Sequence, residues 1–581
     1  MKTATIKLSS LFALLLSVAA CSSGGGDSSS AGGGPAFVTT TLPDGVRDEA
    51  YLAPITVVGG VGTHSWAVVG GSLPPGVALD DTATGPGSSL AGTPTVAGSY
   101  SFSVGVATAA GTAVQTFTLD VMAGATLVNG WTEFEEQPGA LVVHVSETGN
   151  DSNDGSELSP KRTLAAGFAM LRNGQADWLL LKRGDSFQLN STFQWNKSGP
   201  ASGNGWMRLG AYGDEGLPRP VLLSQGGYIV VTPGYQSSAT ITRLAFTDIF
   251  LLAADRIANS ATTTQNINGV HFIATQWQGT GVPFSHFLME NCRISGFTFG
   301  LICEDNTNDV KVRRCIFDHI FVAGGAHSSG ILCGAQTFLL EDSVIYKVMS
   351  PDIPGLGSNA YSQFAHAAYI GSNATNVTTR GNIVIKAPEG IMQRAGGSFT
   401  RNVCVQTNNG TNIGQAWGVT PAPGGVQAVV EENLILNTIT HLVHMGNTAS
   451  GSVRSNMLLQ DQDGNGQTDL SLVPINNAGS GVNVGVHNTT FADNLLSGSI
   501  TWNSGDTASF SGLVFTGNQQ NLGPTTTSIA AYLQAVGWSG STLDDWANHL
   551  LQRDRRNYSV VYESKSVIDF YRAHYALPPL D

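Results

Sequence analysis

A histidine, a tyrosine and an arginine define the chemistry this sequence could do. The run His366-Ala-Ala-Tyr369-Ile is followed by Arg380, Lys386 and then Glu389-Gly-Ile-Met-Gln393-Arg394-Ala-Gly-Gly397. Between residues 353 and 430 lie four basic residues (Arg380, Lys386, Arg394, Arg401) and one acid (Glu389), a local +3 in a chain of net charge −14. A phenolate or a neutral imidazole can remove a proton, while a guanidinium can grip a carboxylate in a fork and stabilise negative charge as it develops. Such a set suits proton abstraction beside a carboxylate. His366, Tyr369 and Arg394 are the candidate catalytic residues, with Arg380, Lys386 and Gln393 as contacts to the rest of an anionic ligand. The structural alternative is a packed His–Tyr pair among solvated arginines.

These residues can meet only if the chain returns to the same place once per circuit. A repeat supplies that return. Segments of the form apolar-x-x-(Asn/Cys/Ser) recur from Met289-Glu-Asn-Cys292 through Val312-Arg-Arg-Cys315, Leu340-Glu-Asp-Ser343, Thr379-Arg-Gly-Asn382 and Phe399-Thr-Arg-Asn402. They continue as Val430-Glu-Glu-Asn433, Val453-Arg-Ser-Asn456, Phe491-Ala-Asp-Asn494 and Phe515-Thr-Gly-Asn518. The last position advances by 23, 28, 39, 20, 31, 23, 38 and 24 residues. A minimum near 20 with longer steps describes a solenoid of β-coils with loops inserted at turns. Asn suits a turn that needs a left-handed residue, and stacked Asn side chains can bond from coil to coil. Cys292 and Cys315 share the repeat position, and Cys303 and Cys333 share another, so stacked buried thiols are expected. Five cysteines follow Cys21, so at least one of them stays unpaired. In phase, Tyr369 falls beside Met392, and Arg394 lies two positions on with the same parity. His366 has the opposite parity and joins them only if the strand bends. The two longest steps place wall loops at 349–364 and 460–480.

Composition fits this architecture. Glycine is 71 of 581 residues and charged residues only 12%, which argues against coiled coils and helical bundles; 24 Phe and 10 Trp argue against disorder. The acidic balance excludes generic nucleic-acid binding. Lys2 and Lys7 precede the apolar run Leu11–Ala20, too short to span a bilayer, and Val18-Ala-Ala-Cys21 ends it. A Gly/Ser tether, 21–35, follows the 1–20 leader. Short alternating strands with Pro/Gly turns fill 36–123, the coil region is expected over 140–523, and three amphipathic helices over 524–581 would cap its open end. Thr163 is a plausible cap for a short helix at 163–172. Asp151, Asn153 and Asp154 form an Asn/Asp/Gly turn whose side chains commonly bond nearby backbone; they could also supply oxygen ligands to Ca²⁺, the one cofactor considered. No His/Cys spacing suggests zinc.

Three resemblances extend this reading. Ala19-Ala20-Cys21-Ser22 resembles a bacterial lipobox, which implies lipid on Cys21 and a chain anchored to the outer membrane or cell surface. Ser72-Leu-Pro-Pro-Gly-Val-Ala-Leu-Asp80, Ala91-Gly-Thr-Pro94 and Ala97-Gly-Ser-Tyr-Ser-Phe102 resemble bacterial immunoglobulin-like modules, usually spacers or binding units. His366-x-x-Tyr369, an Asn-ladder coil and Gly390-Ile-x-x-Arg394-x-Gly-Gly397 resemble polysaccharide lyases of the pectate-lyase-like superfamily. That resemblance implies a right-handed parallel β-helix, an all-β protein acting as a monomer on an anionic polysaccharide by β-elimination. In it Tyr369 or His366 is the base, Arg394 neutralises the uronate carboxylate, and Arg380 or Lys386 binds a neighbouring sugar. Some relatives use a lysine base one coil before the arginine; Ile370-Gly-Ser-Asn-Ala374 has none. A glycoside hydrolase on the same fold would need two carboxyl groups, for which Glu304, Asp305, Asp309 and Asp318 (beside His319) are the candidates. A lipid-anchored glycan-binding adhesin is the non-enzymatic reading.

Overall fold

The computed structural model describes residues 34–42, 45–47, 51–122, 126–201, 205–231, 240–258, 267–272, 284–304, 307–322, 327–353, 356, 364–414, 425–438, 441–460, 470–472, 475–476, 483–502 and 510–581. Cys21 and the tether up to residue 33 therefore lie outside the described residues, as does most of both wall loops. Two compact units divide the chain near residue 134. The first is a β-sandwich of two four-stranded sheets. Alternation along Tyr51–Val58, Gly98–Thr108 and Gly111–Met122 buries one face of each sheet around Trp66, Phe102, Phe117 and Leu119.

The second unit is a right-handed parallel β-helix. Three sheets of 15, 11 and 11 strands run its length, and each circuit from Trp178 to Leu472 contributes one strand to each sheet in turn. The repeat read from the sequence is the register of the first sheet: Met289, Val312, Leu340, Thr379, Phe399, Val430, Val453, Phe491 and Phe515 are paired in succession. Three residues on, the asparagines pile in a buried column. Each Nδ2 donates to the next Oδ1, from Asn382 to Asn402 (2.9 Å) through to Asn494 to Asn518 (2.8 Å). The same nitrogens also donate to backbone carbonyls one coil back, as Asn433 does to Phe399 (2.9 Å). From Asn382 to Asn494 the ladder amide nitrogens are thereby each bonded twice, so the column enters the core with its donors satisfied.

The left-handed turn residue is not the ladder asparagine but its predecessor. Asn291, Arg314, Asp342, Gly381, Arg401, Glu432, Ser455, Asp493 and Gly517 have φ between 47° and 70°. Their strain is offset because from Asn291 to Asp493 each backbone N–H is fixed to a carbonyl of the following coil, as in Arg314 to Glu341 (2.9 Å) and Glu432 to Arg454 (3.0 Å). All five cysteines after Cys21 are buried free thiols, and Cys303 and Cys333 are register partners.

The three C-terminal helices, Ile529–Ala535, Leu543–Leu550 and Ser564–His574, do not cover the open end. They pack along the flank, on the outer face of the second sheet. There Tyr346, Ile383, Val403, Leu434, Met457 and Leu495 meet Leu533, Trp546, Leu550, Ile568 and Tyr571. The reason is in the strands: Ile383–Ile385, Val403–Val405 and Leu434–Leu436 are apolar at every position, so both faces of this sheet require cover. Thr163 caps the helix Leu164–Met170 by accepting from the Ala166 N–H. In the Asp151 turn the side chains bond the chain itself: Asp151 accepts from the Arg162 and Thr163 N–H groups (2.9 Å each), and Asn153 donates to the Pro160 carbonyl (2.9 Å). No helix among the described residues is long and apolar enough to cross a membrane.

Candidate active site

The outer face of the third sheet carries the candidate residues. Tyr369 pairs with Met392 on strands Ala365–Ile370 and Glu389–Gln393, as the phase of the repeat requires. Arg394 follows directly, with its guanidinium carbon 5.1 Å from the centroid of the Tyr369 ring. His366 stands edge-on to the same ring, centroids 4.9 Å apart at 81°. The bend that His366 needs is present. Ala367 and Ala368 both enter the core, so two successive residues point inward and the flanking His366 and Tyr369 share the outer face.

The bend is built by a column of small residues. Gly300, Gly330, Ala367, Gly390 and Gly410 occupy corresponding positions, and a Cβ at Gly390 would collide with the Gly410 carbonyl. The residue ahead of each small one projects outward: Phe299, Ser329, His366, Glu389 and Asn409 form one row, and Tyr369, Met392 and Asn412 belong to another. This repeated X-Gly or X-Ala step was the available signal for Glu389 and Asn409, and register with Met392 was the signal for Asn412; sequence reasoning placed none of the three in the site.

Burial sets the electrostatics. His366 is 4% exposed, its Nε2 has no hydrogen-bond partner, and burial followed by the nearby Arg394 and His327 charges pushes its pKa down to about 3. The imidazole is neutral at any ordinary pH. Glu389 is 7% exposed; burial raises its carboxyl above the usual range, and hydrogen bonds from Asn409 Nδ2 (2.6 Å) and Asn412 Nδ2 (2.8 Å), both to Oε2, only partly oppose this.

Arg380, Lys386 and Gln393 do not join this group. Arg380 is a rung of a charge ladder on the first sheet, bonded to Glu341 (2.7 Å), which also binds Arg313 (2.7 Å). Lys386 sits at the corner beyond the second sheet and holds Asp352 and Asp544. Burial works against its charge, but those two carboxylates outweigh it and keep the ammonium above its ordinary pKa. Gln393 faces the interior, fully buried, accepting from the Thr379 hydroxyl (2.7 Å) and donating to the Gly396 carbonyl (3.0 Å). Strand alternation required this once Ile370, its partner, pointed inward.

The proposed carboxyl set is dispersed as well. Asp309 is bound to His286 (2.8 Å), and Asp318 to Arg293 (2.8 Å) and His319 (2.8 Å). Glu304 is bound to His271 (3.1 Å), and Asp305 lies outside the described residues. Glu304 is three coils from Glu389, at least about 14 Å at the usual strand spacing. That exceeds the span of roughly 5–9.5 Å over which two carboxyl groups flank a glycosidic bond. Among the described residues, no group of three or more His, Cys, Asp or Glu could hold a metal.

No family model and no curated protein matches the chain. Among solved structures, a glycoside hydrolase is 10% identical, with 68% of this chain and 98% of that chain covered at a TM-score of 0.39. The lacto-N-biosidase GH136 of Eubacterium ramulus is 15% identical, with 65% and 67% covered at 0.37. A rhamnogalacturonan lyase is 13% identical, with 65% and 88% covered at 0.28. At such identities and scores the likeness carries no activity, and the β-helix rests on its own strand pairing.

Proposed function

We propose that this protein is a polysaccharide lyase that cleaves a uronate-containing polysaccharide by β-elimination. The observation that carries the proposal is the Arg394 guanidinium standing over the Tyr369 ring on a face that lacks a hydrolytic carboxyl pair among its described residues. Arg394 would bind the uronate carboxylate in a fork, draining charge from C5 and stabilising the carbanion-like transition state. Tyr369, acting as its phenolate, would take the C5 proton; the electron pair left on C5 forms the C4–C5 double bond and expels the C4 oxygen, which takes a proton from the resulting phenol as the new end of the departing chain and so restores the phenolate. A nitrogen that accepts a proton only near pH 3 is a weak base, so His366 is better suited to holding the Tyr369 ring than to removing the proton. The same reading keeps the protein at a bacterial cell surface as a monomer, tethered by lipid on Cys21; Cys21→Ser would then release it from the membrane fraction.

A hydrolytic reading has one observation in its favour. Glu389, with its carboxyl pKa raised by burial, has the character of a proton donor to a glycosidic oxygen. Its partner carboxyl is out of reach: Glu304, the candidate beside the same sheet, is at least about 14 Å away. One assay separates the readings: incubation with acidic and neutral polysaccharides while following the ultraviolet absorbance of unsaturated uronates together with reducing ends. Both rise in elimination. Reducing ends alone indicate hydrolysis, and neither rises for a binding protein.

A further inference from the structure

The third sheet holds a second cluster that the elimination chemistry does not use. Glu389, Asn409 and Asn412 are 7%, 8% and 2% exposed, and both amide nitrogens are committed to one carboxyl oxygen, Glu389 Oε2. This fixes the two amides: the reverse orientation would set their oxygens against the carboxyl oxygen. Each Oδ1 is consequently turned away from that oxygen, and both are buried with no hydrogen-bond partner. The coils satisfy the amide nitrogens and oxygens of the stacked asparagines from Asn402 to Asn494 at the turn after the first sheet, yet leave these two oxygens unsatisfied on the third. Buried acceptors without donors are rare in folded proteins and mark a place where an absent group belongs.

We infer that Glu389, Asn409 and Asn412 form a sugar subsite that accepts hydrogen bonds from adjacent hydroxyl groups of a pyranose, one coil along from the residue held by Arg394. The inference rests on the carbohydrate reading of this face but not on elimination. Its chemistry follows from the donor count. The open positions are acceptors, so the ligand must offer donors, and a pair of neighbouring hydroxyls does so without bringing charge. A divalent cation also suits oxygen ligands, but it needs more negative charge than one carboxyl, whose burial disfavours the charged form, can supply. Position agrees. Asn412 is the register partner of Met392, which is the partner of Tyr369, so the column runs from aromatic ring through an apolar floor to the amide, along the coil axis. The spacing of about 4.8 Å per coil is comparable to the length of one sugar. A chain lying along the axis would place its uronate carboxylate at Arg394 and its next ring over Met392 and the amides.

Affinity electrophoresis tests this without turnover. The purified protein is run through gels containing polygalacturonate, alginate, hyaluronate or neutral laminarin, each with EDTA and again with CaCl₂, alongside Asn409→Ser, Asn412→Ser and Glu389→Gln. Melting temperatures identify the variants that fold; either asparagine variant suffices. The expected result is retardation of wild type by at least one polysaccharide in EDTA, weakened roughly tenfold by loss of either amide. Wild-type retardation in both folded asparagine variants would overturn the subsite. So would the absence of retardation by every polysaccharide. Retardation that needs CaCl₂, with a calcium-dependent rise in melting temperature lost in Glu389→Gln, would make it a cation site instead. Retardation that depends on the amides but without any unsaturated product would remove the elimination reading and leave the subsite standing.

Discussion

The second and third sheets are wound from the same coils and share one core, yet their outer faces have opposite fates. Along the second sheet, Ile383, Ile385, Val403, Val405, Leu434 and Leu436 present aliphatic groups outward, and the C-terminal helices bury them. Along the third, the corresponding outward positions are His366, Tyr369, Glu389, Asn409 and Asn412, with no helix laid on them among the described contacts. Covering an aliphatic face stabilises the fold by removing apolar area from water. Leaving buried polar atoms without partners costs stability, which a protein retains where a ligand supplies the missing bonds. In this solenoid the outer rows of two sheets therefore differ, one a packing surface and the other the proposed binding surface.

The contrast can be broken by substitution. The largest effect is expected at Trp546, fully buried between the helices and the second sheet: Trp546→Ala should cost about 3–5 kcal/mol in denaturant unfolding, whereas Tyr369→Ala, at the half-buried position of the third-sheet face, should cost far less. Equal losses would erase the distinction. In the shared core, Asn433→Ala leaves the Asn402 N–H, bonded to Asn433 Oδ1 at 2.8 Å, and the Phe399 carbonyl without partners. About 1–3 kcal/mol for each orphaned group is expected by the same measurement.

A pH series sharpens the comparison on the third sheet. Folded His366 stays unprotonated down to about pH 3, while in the unfolded chain it takes a proton near 6.5. Between those values the unfolded state binds more protons. Its contribution to stability is complete above pH 6.5 and is lost as pH falls toward 3, by up to about 1.4 kcal/mol per unit. His366→Phe should flatten the melting-temperature slope between pH 6.5 and 4.5 relative to wild type; an unchanged slope would mean that His366 is not buried as described. The smallest effect is expected for Arg380→Ala, about 1 kcal/mol or less in stability and none on polysaccharide retardation, because Arg380 is exposed and Glu341 keeps Arg313.

The winding was legible because a buried ladder forces one residue type into one phase: Asn382, Asn402, Asn433, Asn456, Asn494 and Asn518 are inward, and nothing but Asn or a small residue fits between stacked coils there. The phase of Tyr369 against Met392 followed from the same count. The direction of side chains was less legible, since it depends on departures from alternation. The Ala367 bend brought His366 in, and regular alternation carried Gln393 out of the site into the core. Partners were not legible at all for Arg380 and Lys386: a positive charge looks the same in sequence whether it meets a sugar or a carboxylate 39 or 158 residues away. The amphipathic helices were plain, but their apolar faces alone did not say which surface they cover. That answer lay in the all-apolar strands of the second sheet.

The account depends most on Arg394 and Tyr369 acting together from neighbouring coils on one uronate. Arg394→Ala, folded by circular dichroism and melting temperature, is the direct test, with unsaturated uronate and reducing ends followed on the polysaccharide that wild type cleaves. The prediction is loss of both signals by at least a hundredfold, roughly the contribution of one group that stabilises developing charge. Wild-type turnover in that variant, or reducing ends released by wild type with no rise in ultraviolet absorbance, would contradict it.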